Sequence, residues 1–168
     1  MAPPDTLNFL LAAILLIENH AAWLIVGGFT HAGNWQLKPD SSRAVFHGDA
    51  PKERGVYAYL VDGVISYVGS AQIGIRVRLR RYVLADNKRT SMRVRQAIES
   101  ELRAGRTVEV FTIVPEPINY RGLPIDPVVG LEEGLIRFVK PEWNLRGLGR
   151  TGKTLLPQVG SMPDIDAE

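Results

Sequence analysis

Two short runs of β-prone residues flank an Asp-Gly pair in the first half of the 168-residue chain. The runs are Val56–Val61 and Val64–Val68, and the pair between them is Asp62 and Gly63. An Asp-Gly pair in this setting indicates a β-hairpin, because both central residues of the favoured two-residue turn have positive φ. The pattern therefore predicts two adjacent antiparallel strands, around which the rest of the chain must pack.

Two turns are compatible with this hairpin, and they place Tyr57 and Tyr67 differently. A two-residue turn pairs Val61 with Val64 and points the two tyrosines to opposite faces, because side chains alternate along a strand. A three-residue loop that ends at Gly63 puts Tyr57 directly opposite Tyr67, with the glycine in the left-handed conformation. The turn residues allow both registers, and only the second makes the tyrosines neighbours.

The rest of the chain predicts helices packed on a small sheet. Apolar residues recur at helical spacing in Ile75–Ala85, Ser91–Ala104 and Leu131–Val139. The segment Val108–Val114 is typical of a third strand, and a loop containing Gly and Pro follows at Asn119–Pro127. The element order ββααβα predicts the α+β class, with a small three-stranded antiparallel sheet flanked by helices.

The N-terminal region contains an apolar run, Leu7–Ile17, that polar residues end after 11 positions. A helix needs about 20 apolar residues to span a bilayer, so we expect no membrane association and interpret the run as a buried or amphipathic helix. We therefore predict an N-terminal extension with a helix and short strands at 1–51, a main domain at 52–147 and a flexible tail at 148–168.

Cysteine is absent from the chain. Its absence excludes disulfides, thiolate metal sites and cysteine nucleophiles. The contents of hydrophobic residues, 45%, and of charged residues, 23%, are ordinary for a globular domain and exclude a disordered or coiled-coil chain. A chain without cysteine is compatible with a reducing compartment, and we expect a cytoplasmic protein.

Positive charge is concentrated in one segment. The whole chain carries a net charge of +2, yet residues 76–106 contain 10 Lys or Arg against 3 Asp or Glu. Such a local excess is typical of a surface that meets phosphate, although a solvated helix surface can also carry it. We predict that six residues of this segment contact nucleic acid: Arg76, Arg80, Arg81, Lys88, Arg93 and Arg95.

Short motifs occupy both predicted hairpin strands, the helix after them and the last helix. They are, in chain order, Gly55-Val56-Tyr57, Tyr67-Val68-Gly69, Arg78 with Tyr82 four residues later, and Glu132 with Asn144 twelve residues later. Together these motifs resemble the GIY-YIG nuclease family. The resemblance covers about residues 55–146, and the fold that it implies is the α+β arrangement predicted above.

The resemblance implies a metal-dependent endonuclease that hydrolyses DNA phosphodiester bonds. In this assignment Tyr57 takes the proton from the attacking water, and Arg78 stabilises the transition-state phosphate. Glu132 is then the only protein ligand of a Mg²⁺ or Mn²⁺ ion. Tyr67 and Tyr82 orient water and phosphate, and Asn144 holds the backbone around the site.

The mechanism that the resemblance implies needs both hairpin tyrosines on one face of the sheet, and it therefore favours the three-residue loop. Tyr57, Tyr67, Arg78 and Glu132 are then expected to converge on one shallow, positively charged concavity. A tyrosine is a poor base at neutral pH because its pKa is about 10, so nearby positive charge would be needed to favour the phenolate.

Several alternatives stay open at this level. Arg76 competes with Arg78, because the stretch after Gly69 is one residue longer than the family pattern. Glu132 could be a carboxylate favoured by a helix N-terminus, whereas Glu133 is placed to pair with Arg137 on the surface. The alternative to an enzyme is a catalytically inactive nucleic-acid-binding module of the same fold.

Overall fold

A computed structural model describes residues 14, 19–84 and 89–145. The helices are α1 His20–Val26, α2 Ile75–Leu84, α3 Arg89–Arg103, α4 Pro127–Val139 and α5 Glu142–Leu145. The strands are β1 Thr30–Leu37, β2 Ala44–Gly48, β3 Gly55–Val61, β4 Val64–Ala71, β5 Val108–Ile113, β6 Ile118–Tyr120 and β7 Leu123–Ile125. The predicted N-terminal helix, apart from Ile14, and the predicted tail lie outside the described residues.

The main sheet has five antiparallel strands in the order β2-β1-β5-β3-β4. This confirms the α+β class, but the prediction of three strands is wrong. The two additional strands, β1 and β2, come from the segment predicted as an extension, and β1 pairs directly with β5. A bulge between His31 and Gly33 interrupts the alternation of buried and exposed side chains in β1, which hides the strand pattern in the sequence. The domain boundary at residue 51 stays a prediction.

Helices cover both faces of this sheet. On one face, the buried side chains include the aromatic residues of β3 and β4 together with Leu79 of α2, Ile98 of α3 and Trp143 of α5. On the other face, Leu24 of α1 and Leu135 of α4 pack against the opposite side chains of the same strands. Because both faces are covered, nearly every residue of β3 is buried. In the described ranges, no helix is long and apolar enough to cross a membrane.

The β3–β4 hairpin has the two-residue turn, so the predicted three-residue loop is wrong. Val61 pairs with Val64, and the turn residues Asp62 and Gly63 have φ values of 46° and 82°. Both values are positive, as a type I′ turn requires. This turn matches the right-handed twist of the strands, which explains why it wins over the longer loop.

A bulge in β4 then restores the arrangement that this turn alone would forbid. Leu60 pairs with Ile65 but the next pair is Tyr59 with Tyr67, so Ser66 is an extra residue without an opposite partner. One extra residue inverts the alternation beyond it, because the side-chain period of a strand is two. Tyr57 and Tyr67 therefore share a face, although the residue opposite Tyr57 is Gly69 rather than Tyr67.

The region before the last helix also differs from the prediction. The segment predicted as a loop contains a small hairpin of β6 and β7. Helix α4 then begins at Pro127 rather than at Leu131, because Asp126 caps it by accepting hydrogen bonds from the first-turn backbone N–H groups. Glu132 consequently lies in the second turn of α4, which removes the alternative of a helix-terminal carboxylate. The other predicted helices and strands agree at both described ends to within two residues, except that β4 ends at Ala71, three residues beyond the predicted end at Val68.

Candidate active site

Four tyrosine rings meet on the face of the sheet that α2 covers. Tyr57 and Tyr59 come from β3, Tyr67 from β4 and Tyr82 from α2, and the ring centroids of five of the six pairs are 5.4 to 6.3 Å apart. The hydroxyls of Tyr57 and Tyr82 are 2.8 Å apart, and the Tyr82 hydroxyl donates to that of Tyr67 at 3.5 Å. Three of the predicted site residues are thus joined through their oxygens.

Tyr59 is a member of this cluster that the sequence analysis did not assign to the site. Its ring is stacked on Tyr67 and fully buried, and its hydroxyl has no partner within hydrogen-bonding geometry among the described residues. The signal that could have found it is its place two residues after Tyr57, because such residues share a face of a strand.

Arg78 closes the tyrosine cluster from the side of helix α2. Its Nε donates to the Tyr57 hydroxyl at 3.2 Å, and its guanidinium carbon lies 5.0 Å from the centroid of the Tyr82 ring. Residues four apart on a helix lie on one face, so Arg78 and Tyr82 reach the same place. The competing residue Arg76 points elsewhere, because it donates to a carboxylate oxygen of Asp49 and to the carbonyl of Ala50.

A glycine makes the close approach of the tyrosines possible. A side-chain carbon at Gly69 would lie 2.6 Å from the Tyr57 hydroxyl oxygen and 3.0 Å from the ring of Tyr67. Both rings are held by their aromatic neighbours and cannot move away without loss of packing. Gly69 is therefore required by the site itself.

Burial controls the ionisation of the cluster. Burial raises the pKa of Tyr57 well above its ordinary value, and the adjacent Tyr67 raises it further. Arg78 and the hydrogen bond between Tyr57 and Tyr82 lower the pKa of Tyr57, but by less. The positive charge of Arg78 favours the phenolate, as expected, but burial outweighs it, so Tyr57 is a neutral phenol in the protein alone. Burial lowers the pKa of Arg78, but the oxygens of Tyr57 and Tyr82 more than compensate, so the guanidinium stays charged.

Side chains from three helices occupy the free edge of β4, the last strand of the sheet. Asn144 accepts from the backbone N–H of Val68 at 2.9 Å and donates to its carbonyl at 2.8 Å. His20 accepts from the N–H of Ile65 at 2.9 Å. These contacts replace a missing neighbouring strand and protect the edge from pairing with another chain.

Glu132 binds the same edge, one residue beyond Gly69. The backbone N–H of Ser70 donates to one carboxylate oxygen at 2.9 Å, and the Ser70 hydroxyl donates to the other at 2.5 Å. Sequence reasoning missed Ser70, because nothing in the local pattern distinguishes it from other small polar residues. Glu133 is exposed and pairs with Arg137 at 2.7 Å on the surface.

A divalent cation fits at Glu132. A carboxylate offers about four acceptor positions, and Ser70 takes two of them. Mg²⁺ commonly binds through one or two carboxylates and keeps several waters, so a single partly exposed carboxylate is a suitable donor. The described part of the chain contains no group of three or more His, Cys, Asp or Glu side chains that could form a larger cage.

A solved endonuclease structure shares this architecture, and two others are more distantly similar. A mutant of bacteriophage T4 EndoII superposes with a TM-score of 0.57 at 22% identity, covering 70% of this chain and 92% of that chain. The GIY-YIG N-terminal endonuclease domain of UvrC from Thermotoga maritima, bound to magnesium, is 30% identical over 56% of this chain and 86% of that chain, with a TM-score of 0.39. The restriction endonuclease Hpy188I in complex with product DNA is 16% identical over 73% and 80%, with a TM-score of 0.46.

The protein has the GIY-YIG nuclease fold. The two half-motifs of the name correspond to β3 and β4, with Tyr57 and Gly69 opposite each other. No protein-family model and no curated protein matches the chain.

Two of the arginines predicted to contact nucleic acid are presented to solvent. Arg80 and Arg81 are exposed on α2, the helix of the GIY-YIG fold that also carries Arg78. Lys88 lies outside the described residues. Arg81 lies three residues after Arg78, so its exposed charge is on the same side of the helix as Arg78, whereas Arg80 lines a cavity with Val45 and Phe46 of β2.

Two other predicted arginines serve the fold instead. Arg93 donates to the backbone carbonyl of Trp143 at 2.6 Å and so ties α3 to α5. Arg95 is only 9% exposed and lies 3.7 Å from the buried carboxylate of Glu99. On α3, Arg95 therefore lies towards the core rather than on the exposed surface, which does not favour the predicted contact with phosphate.

Proposed function

We propose that this GIY-YIG protein is a divalent-metal-dependent endonuclease that hydrolyses phosphodiester bonds of DNA. The observation that carries the proposal is the hydrogen bond from Arg78 to the Tyr57 hydroxyl beside the strand edge that holds Glu132. A nucleophile activator, a phosphate-binding cation and a metal-binding carboxylate are the three parts that this hydrolysis needs. Binding of nucleic acid alone would need neither a buried tyrosine pair nor Glu132.

In the proposed reaction Tyr57 accepts the proton of the attacking water. Tyr82, 2.8 Å away, and Tyr67 next to it hold that hydroxyl in place and orient the water and the phosphate. Arg78 binds two oxygens of the phosphate through its guanidinium fork, which stays charged at every physiological pH. Asn144 keeps β4 straight at Val68, so that Gly69 stays in contact with Tyr57.

Arg78 also controls access to Tyr57. Tyr57 has no exposed surface, and its hydroxyl is covered by the guanidinium that donates to it. Water reaches this hydroxyl only when Arg78 turns towards the phosphate of a bound substrate. Substrate binding would therefore expose the Tyr57 hydroxyl and, by the same movement of Arg78, place the guanidinium on the phosphate.

Glu132 would hold Mg²⁺ or Mn²⁺ through the acceptor positions that Ser70 leaves vacant. The bound ion would supply a Lewis acid for the negative charge that develops on the phosphate and the leaving oxygen. Ser70 fixes the orientation of the carboxylate, because it binds both of its oxygens. Hydrogen-bond donors of this kind commonly tune metal sites.

The substrate surface extends from the tyrosine cluster over α2. Arg80 and Arg81 face solvent there and would contact backbone phosphates, which contributes affinity without sequence preference. We place the catalytic unit at residues 52–147, with β1 and β2 of the preceding segment extending its sheet.

One observation favours the alternative of an inactive nucleic-acid-binding module. Tyr57 is buried and its pKa is raised, so the protein alone holds no ready base. A module that binds DNA and never moves Arg78 would keep this arrangement. The two functions differ in whether substrate phosphate displaces Arg78 from Tyr57.

Cleavage of supercoiled plasmid and of single-stranded DNA in Mg²⁺, Mn²⁺ or EDTA tests the proposal. We expect nicked or linear products with either cation and none in EDTA or with Glu132→Gln. Salt-dependent DNA binding without any cleavage, under all metal conditions, would establish the inactive module instead.

A further inference from the structure

The hairpin of β6 and β7 stands apart from the main sheet and has one apolar face. Its turn residues, Arg121 and Gly122, both have positive φ, 50° and 85°, as in a two-residue type I′ turn. Ile118 pairs with Ile125 and Tyr120 with Leu123. These four side chains share one face, because alternate residues of paired strands point the same way.

This apolar face is exposed. The four side chains are between 46% and 66% exposed, and none belongs to either buried cluster of the protein. A contiguous apolar patch that the fold does not cover indicates a surface that binds something. At the tip, the Arg121 guanidinium lies 5.5 Å from the centroid of the Tyr120 ring, which places positive charge beside the patch.

The base of the hairpin is attached to the candidate active site. Arg54, just before β3, donates to Gln72, just after β4, and to Asp126, which caps α4, each at 2.7 Å. Helix α4 carries Glu132 on its next turn. These contacts anchor Asp126, the residue that follows β7, to the strands that carry the site.

We propose that hairpin 118–125 packs its apolar face into the minor groove of duplex DNA beside the cleavage position and unstacks a base step there. The inference rests on the proposed nuclease function, and it specifies which groove of the duplex the protein contacts beside the cleavage position. Proteins that bind the minor groove insert apolar side chains between base steps and add an arginine that follows the groove. Tyr120, Leu123 and Arg121 at the turn provide this combination.

Three observations favour the minor groove of DNA over the major groove and over a second copy of the chain. Reading of the major groove depends on hydrogen bonds to base edges, and the apolar face offers only the hydroxyl of Tyr120 for this. A second copy of the chain is a poor fit, because a stable dimer buries about 20–30 residues on each side and this face has four side chains. The hairpin is also continuous with the site where DNA is proposed to bind.

The test uses full-length protein in EDTA, where DNA binds without being cut. Duplexes carrying 2-aminopurine at successive positions report unstacking as a rise in fluorescence. The variant Y120S/L123S removes the two apolar side chains at the turn. The matched control is Val64→Ser, because Val64 follows a type I′ turn of the main sheet in the same way and is 55% exposed.

We expect the wild type and the control to give the fluorescence rise at one step, and netropsin, a minor-groove ligand, to compete with both. The double variant should lose the rise and bind duplex at least about tenfold more weakly, a difference of about 1.4 kcal/mol. Its far-UV circular dichroism and Tm should be unchanged, because the hairpin lies outside both cores.

Unchanged affinity and fluorescence of the double variant would overturn the inference. A wild type that is a dimer by light scattering, with a monomeric double variant, would assign the face to a second copy. If the wild type cleaves plasmid, both of these outcomes overturn only the inference about the hairpin, and the proposed nuclease function stands. If the wild type cuts no DNA, the proposed function itself is refuted.

Discussion

Arg78 donates from Nε to the hydroxyl of Tyr57 at 3.2 Å, and this contact joins a helix to the middle of the sheet. It keeps a cation beside a phenol that burial holds neutral. Tyr57 itself has no exposed surface. In the proposed mechanism the two residues form a closed resting state that a phosphate, as a stronger partner for guanidinium, can open.

Tyr57→Phe should keep the fold and the affinity for DNA but lower the single-turnover cleavage rate by at least about 100-fold, because general-base catalysis commonly contributes this much. Rates at saturating enzyme measure the effect. Tyr59→Phe is the control: its hydroxyl has no hydrogen-bond partner within the described part of the chain, so both rate and Tm should hold or rise slightly. A fully active Tyr57→Phe enzyme would mean that another group activates the water.

Alkaline pH should destabilise the protein. Burial raises the pKa values of Tyr57, Tyr59 and Tyr82 in the folded state above the unfolded value of about 10. The stability that they contribute is complete below about pH 10 and is lost as the pH rises above it, because the unfolded chain then releases protons first. The Tm of the wild type, measured from pH 8 to 11, should fall at the alkaline end. The Tm of Tyr59→Phe should fall less steeply over the same range.

Glu132→Gln should abolish metal-dependent cleavage and leave DNA binding nearly intact, because the amide is a poor ligand for a hard cation. Plasmid cleavage and binding in EDTA separate the two effects. Glu133→Gln should stay close to wild type, since its exposed pair with Arg137 is worth less than about 1 kcal/mol. The reverse result would show that the ligand has been assigned to the wrong residue of α4.

Ser70→Ala should weaken metal binding about 10- to 100-fold without changing DNA affinity, because it removes one of the two donors that orient Glu132. Titration of Mn²⁺ followed by its electron paramagnetic resonance signal measures the affinity without DNA. Ser66→Ala is the control, as the Ser66 hydroxyl donates only to the nearby carbonyl of Val64. Equal Mn²⁺ affinities for both variants would leave Ser70 without a role at the metal.

Arg78→Ala should collapse the single-turnover rate, whereas Arg76→Ala should mainly lower stability, by about 1 kcal/mol, through loss of its bonds to Asp49 and Ala50. Rates at saturating enzyme and urea unfolding distinguish the two variants. A collapsed rate in Arg76→Ala with an intact fold would transfer the phosphate-binding role to that residue.

Local patterns in the sequence predicted much of the fold. Apolar spacing predicted the helices that became α2, α3 and α4, and the Asp62-Gly63 pair predicted the hairpin. The four-residue spacing of Arg78 and Tyr82 on one helix placed them together. These signals depend on residues within one or two turns of each other, so they can be detected without knowledge of the rest of the chain.

The sequence was insufficient where contacts join residues far apart in the chain. The bulge at Ser66 decided that Tyr57 and Tyr67 share a face, and no local signal marks it. The bonds of Ser70 to Glu132 and of Val68 to Asn144 span 62 and 76 residues. Arg95 became a core residue because Glu99 is buried beside it.

By itself, the sequence determined which residue types are available for phosphodiester chemistry and on which elements they lie. Tertiary structure alone decided which of those residues meet, which cations face solvent and how deeply the tyrosines are buried. The physical reason is that burial and long-range pairing depend on all elements together: packing of α2 on the sheet both brings Arg78 to Tyr57 and excludes the water that would otherwise lower the pKa of that phenol.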